Sequence, residues 1–149
     1  MQKKIKLLDG SLSYPLEKKG HNLNKKLWTG DALINDPNAI KKVHKDYLAA
    51  GVDFISTSTY QLSYKVLKEM GYNVNDIKDI FKRSVNLVEQ AIEETNTTRK
   101  IKIVGSYGPY GAFLADGSEF TGKYNTSDEI IMDYHRAVSY THLTLPTKA

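Results

Sequence analysis

Short apolar runs alternate with longer stretches of helical periodicity along this chain. Residues 5–8 (IKLL) read as a first strand, stopped by Asp9-Gly10. Residues 12–19 read as a short helix ending at Gly20, and residues 21–35 as a polar loop around Leu27-Trp28. A clear helix follows, with Asp36 as N-cap, Pro37 in the first turn and Gly51 past the end. Its apolar stripe is Ile40, Val43, Tyr47 and Leu48. Phe54-Ile55 predict a second strand ending at Ser56-Thr57, and residues 62–70 a helix stopped by Gly71. Residues 74–94 predict a longer helix, with Ile77, Ile80, Phe81, Ser84, Val88, Ala91 and Ile92 on one face. A third strand spans 101–104. Thr126 and Glu129 suggest a capping box for a last helix through Tyr134.

Strand–helix–strand–helix–strand order argues for a parallel sheet with helical crossovers. Each strand run ends in polar residues or glycine: Asp9-Gly10, residues 57–61, and Gly105-Ser106. In a parallel barrel such ends share one rim, and that rim carries the site. The stretch after the third run, GSYGPYGAFLADGSEF, holds most of five glycines that fall between Gly105 and Gly122. Glycine lets backbone approach a ligand closely. The loop lacks a Gly-Lys-Ser/Thr ending and a GxGxxG pattern, and Tyr107, Pro109 and Tyr110 suit an apolar wall better than a phosphate nest.

Composition narrows the classes. The 149 residues include 40% hydrophobic and 26% charged positions, ordinary for a globular protein. The net charge of +4 comes from lysine pairs scattered among acidic residues, not from a basic stripe, so no nucleic-acid partner is expected. No run is apolar enough for a signal peptide or a membrane span, which reads as a cytoplasmic chain with no membrane partner. Without cysteine there is no disulfide framework and no thiolate metal site. His44 lies on the stripe of its helix and reads as a half-buried packing residue, not a ligand or base.

Several motifs together resemble the homocysteine S-methyltransferase family, in its bacterial branch with a sulfonium donor. They are LDGSLSYPLEKKG at 8–20, LW at 27–28, DPNAIKKVHKDYLAAGVDFISTSTYQ at 36–61, KRSVNLVEQA at 82–91, and the glycine loop at 105–122. The resemblance implies an α/β fold, a partial (β/α)8 TIM barrel holding about the first three β/α units. It implies a zinc enzyme that moves a methyl group from S-methylmethionine or S-adenosylmethionine to homocysteine, giving methionine. Three cysteines hold the zinc in such proteins and lie in the later half. No metal or catalytic residue is therefore expected in this chain, which reads as an inactive N-terminal part. The resemblance gives Asp9 and Gly10 a role in holding homocysteine, and Trp28 a role as a π face for the cationic donor. It gives Thr57, Thr59, Tyr60 and Gln61 a role in orienting amino acid or donor, and Gly108 and Pro109 a place against the ligand. The alternative is a non-catalytic amino-acid-binding or interaction module.

The resemblance stops after His135-Arg136. Residues 138–149, VSYTHLTLPTKA, show no helical periodicity. VSYTHLTLPT is what one frame of the transposon-end adapter of sequencing libraries encodes. Two units are therefore expected, 1–137 as the methyltransferase part and 138–149 as a non-native tail. Such a part would leave strand edges open, which predicts poor solubility.

Overall fold

The computed structural model describes residues 5–25 and 27–143. Helices dominate it: α1 (Ser13–Lys18), α2 (Thr29–Asn35), α3 (Pro37–Ala50), α4 (Tyr64–Glu69), α5 (Val74–Thr95), α6 (Tyr110–Leu114) and α7 (Asp128–Leu143), with a 3-10 turn at Ser118–Phe120. The two strands are β1 (Phe54–Ser56) and β2 (Lys102–Val104). They pair in parallel, Ile55 opposite Ile103, with α4 and α5 as the crossover.

The helix signals act as the sequence predicts. The Asp36 carboxylate accepts the Ala39 N–H at 3.2 Å, and Gly51 ends α3 at φ 102°. Asn73 and Asp76, which the sequence reading does not single out, form a reciprocal capping box on α5. α3 packs along α5, and Leu16, Leu33, Ile40, Val43, Leu67, Ile77 and Phe81 close the main core between the helices. A second cluster, Leu48, Val52, Ile55, Val88 and Ala91, seals the sheet against α3 and α5. The Arg99 guanidinium donates to the carbonyls of Leu48 and Val52, both at 2.7 Å, and so closes the carboxyl end of α3.

The barrel expectation is corrected. Among the described residues the sheet has two strands of three residues each, and it is open. The described residues form neither a (β/α)8 barrel nor three β/α units. Residues 5–8 form no strand, because only Leu8 bridges Phe54. The Leu7 N–H goes to the Asp53 carboxylate at 3.0 Å instead of into a ladder, and backbone bonds to β1 are confined, among the described residues, to the Leu7 carbonyl and the Asp9 N–H. Ile5, Leu7 and Leu8 stay exposed.

Two smaller corrections follow the same logic. Residues 21–35 are not simply a loop: α2 forms there, and Leu27, Ala32 and Leu33 enter the core. α7 starts one residue later than the sequence implied, with the Ser127 hydroxyl accepting the Ile130 N–H at 3.4 Å. α7 continues across position 137 to Leu143, where no helix was expected. The rest of the 138–149 segment, 144–149, lies outside the described residues.

Candidate functional site

The carboxyl ends of the bridge at Leu8, of β1 and of β2 meet on one side of the molecule. A cavity of about 380 Å³ opens there. Gly10–Ser13 and residues 56–58 form its floor with Ser106, Trp28 and Tyr60 stand as walls, and Glu119 and Phe120 close the rim. A second cavity of about 260 Å³ adjoins it, lined by Leu23, Lys25, Gln61, Ala115 and Gly117, with Trp28 and Glu119 common to both.

Hydrogen bonds fix the floor. The Asp9 carboxylate accepts from the Ser56 N–H at 2.9 Å and the Ser56 hydroxyl at 2.8 Å. Burial raises the Asp9 carboxyl above its ordinary range, and the two Ser56 bonds oppose that shift. The Tyr47 hydroxyl donates to the Ser11 carbonyl at 2.8 Å and holds the 9–11 segment against α3.

A hydroxyl chain links the two strand ends. Thr59 donates to the Ser106 carbonyl at 2.8 Å, and the Ser106 N–H donates to Thr57 Oγ1 at 2.9 Å. The two threonine hydroxyls are 2.9 Å apart. A hydroxyl has one proton, so with that of Thr59 committed to Ser106, Thr57 is the donor between them.

Of the nine residues expected at a ligand, Gly10, Trp28, Thr57 and Tyr60 line the larger cavity, and Gln61 and Trp28 line the smaller. Asp9, Thr59, Gly108 and Pro109 line neither. Asp9 stands behind the floor, and Thr59 is fully buried in the hydroxyl chain. Gly108 is a structural contact: a Cβ there would fall on the Tyr60 carbonyl oxygen, so its bareness lets the loop after β2 lie against the Tyr60 backbone. Pro109 is the N-cap of α6. Tyr110 packs edge-on against Tyr124 and Tyr134 instead of walling the cavity.

Among the lining residues that the sequence reading gave no ligand role are Ser56, Ser58 and Glu119. Ser58 is 1% exposed, and its Oγ has no hydrogen-bond partner. Glu119 Oε2 is likewise shielded and unpartnered. Serines after a strand carry no distinguishing signal. Glu119 had one, as one of the two carboxylates, with Asp116, in the glycine-rich stretch.

Zinc does not fit these residues. The chain has no cysteine, and among the described residues no three His, Asp or Glu side chains gather to hold an ion. The metal-binding property implied by the resemblance is thus corrected for this chain. His44 is fully buried, not half-buried, and is no ligand, since its ring nitrogens face packed side chains without partners.

An opening at the carboxyl ends of parallel strands is where α/β proteins take small molecules. Its hydroxyl-rich floor suits a ligand with several hydrogen-bonding groups. Comparison with known proteins narrows that class. The sequence model of the family described as "Homocysteine S-methyltransferase" matches residues 6–143, and the chain belongs to that family. It is 39% identical over 137 residues to the homocysteine S-methyltransferase YbgG of Bacillus subtilis (strain 168), covering 87% of this chain and 44% of the relative. It is 35% identical over 144 residues to the selenocysteine Se-methyltransferase of Brassica oleracea var. italica, covering 87% of this chain and 42% of that relative. Among solved structures it matches the homocysteine methyltransferase MmuM from Escherichia coli in its metallated form, with TM-score 0.84 and 35% identity, over 95% of this chain and 51% of that one. The chain thus spans about half the length of the relatives it matches. Among the described residues no helix is long and apolar enough to cross a membrane.

Proposed function

We propose that the larger cavity seats an amino-acid substrate of a methyl transfer from a sulfonium donor to the thiol of homocysteine. In that reaction the donor's S–CH3 bond breaks as the acceptor sulfur forms a new one. The donor leaves as a neutral thioether, and the thiol proton passes to solvent. The donor is S-methylmethionine or S-adenosylmethionine, and the product is methionine. Gly10, Thr57 and Tyr60 contact the amino acid, while Asp9 and Thr59 hold the floor in place. Trp28 offers its ring to the cationic donor, an interaction of about 0.5–2 kcal/mol. The observation that carries this reading is the cavity itself, which is lined by four of the residues the resemblance pointed to in a chain of this family.

We further propose that this chain binds without turning over, because nothing in it activates a thiol. Calorimetric titration with L-homocysteine and with S-methyl-L-methionine, run beside an assay for new methionine, tests both statements. The expected result is saturable 1:1 binding with no methionine formed. Methionine formation by the chain alone contradicts the second statement, and absence of binding by either compound contradicts the first.

A further inference from the structure

Trp28 and Glu119 are the two residues common to the adjoining cavities, so together they form the partition between them. Lys25 and Glu119 are the residues with formal charge among those lining either space. The Lys25 ammonium is already paired with Asp31 at 2.6 Å. Glu119 Oε2 is shielded from solvent with no partner, and a buried carboxylate oxygen in that state is costly unless a cation or a donor arrives. Ser58 Oγ, also without a partner, lines the larger cavity on the same ligand-facing surface.

The chain holds these groups at a cost. Trp28 sits at φ 46°, a conformation that disfavours a side chain by roughly 1–3 kcal/mol. Glu119 is set by the Ser118–Phe120 turn packed on α6. There Gly111 leaves room for the Glu119 backbone, which a Cβ would strike. A tryptophan ring and an unpartnered carboxylate oxygen lining the same two cavities offer a π face and a negative charge to a cation without N–H groups. A sulfonium cannot donate an N–H bond, so charge and a π face are the means of recognising it.

We propose that Glu119 is the specificity-determining residue for the positive charge of the donor. It acts against the Trp28 ring at the partition, and Ser58 hydrogen-bonds the polar end of the ligand in the larger cavity. This rests on the reading of the cavity given under Proposed function, and it separates the two spaces as donor and acceptor sides of one site.

Trp28 is the only tryptophan, so its fluorescence reports occupancy of the partition. The chain is titrated with S-methyl-L-methionine and with L-methionine, which differ by one methyl group and one charge. The sulfonium should bind about tenfold tighter or more, and Glu119→Gln should bring the two affinities within about twofold by weakening the sulfonium alone. Glu119→Asp, which keeps the charge, should retain the preference. Ser58→Ala, on the acceptor side, should leave the preference for the sulfonium over L-methionine in place. Retention of the preference in Glu119→Gln, or equal weakening of both ligands by it, overturns the assignment while leaving the cavity reading intact. A wild-type chain that binds neither compound, by fluorescence and by calorimetry, overturns both. Glu119→Gln that fails to fold is replaced in the comparison by Glu119→Asp, whose loss of preference also overturns the assignment.

Discussion

His44 shows how one buried side chain sets a property of the whole. It lies inside the α3–α5 packing with no exposed surface, and neither ring nitrogen has a hydrogen-bond partner. Burial lowers its pKa from 6.5 to about 4. The folded protein therefore keeps it neutral, while the unfolded chain takes up a proton below about pH 6.5. Stability from this residue is complete above that value and falls as the pH drops toward 4, by about 3 kcal/mol in all. Urea unfolding at pH 7 and at pH 4.5 should show the loss, and His44→Leu should shrink it while matching or exceeding the wild type at pH 7. An unchanged pH dependence in His44→Leu would rule this out. The sequence placed His44 on the apolar stripe, but periodicity alone does not say how deep a residue goes.

At the scale of elements, legibility followed the strength of local signals. α3 was readable because cap, proline, glycine and stripe all agreed, and the structure keeps them, while α5 was readable from its stripe alone. α2 was hidden because Trp28 before it takes a positive φ and Gly30 lies inside it, so local propensity argued for a loop. Its helix is held by long-range packing instead: Gly30 rests against the Leu62 side chain. The 5–8 run was over-read, because the Asp53 carboxylate takes the Leu7 N–H and pairing with β1 stops at the single Leu8–Phe54 bridge. The strand ends of the site were legible as positions, while the roles within them were not. Thr57 and Thr59 are hydroxyl links between β1 and β2 before they are anything else. Thr57→Val keeps the shape but removes the acceptor for the Ser106 N–H, so it should cost about 1–3 kcal/mol. Urea midpoints of the two proteins measure this, and an unchanged midpoint would show that the link carries no weight.

The whole molecule is a helical body that presents one rim of strand ends. Its two larger cores sit behind the sheet and between the helices, which leaves the rim free to carry polar groups. Asp9, Thr57, Ser58 and Ser106 come from segments far apart in sequence, and they converge because β1 and β2 run parallel. The family was legible from motifs shared along most of the chain. The barrel was not supported, since the described residues supply two short strands. The central claim is that the rim cavity, and no other surface, takes the amino acid. A titration of the isotope-labelled chain with L-homocysteine, followed through backbone amide resonances, tests it directly. The account predicts saturable shifts at Gly10, Thr57, Ser58 and Ser106, with the outer faces of α3 and α5 unmoved. Shifts confined to those outer faces, or none at all, would contradict it.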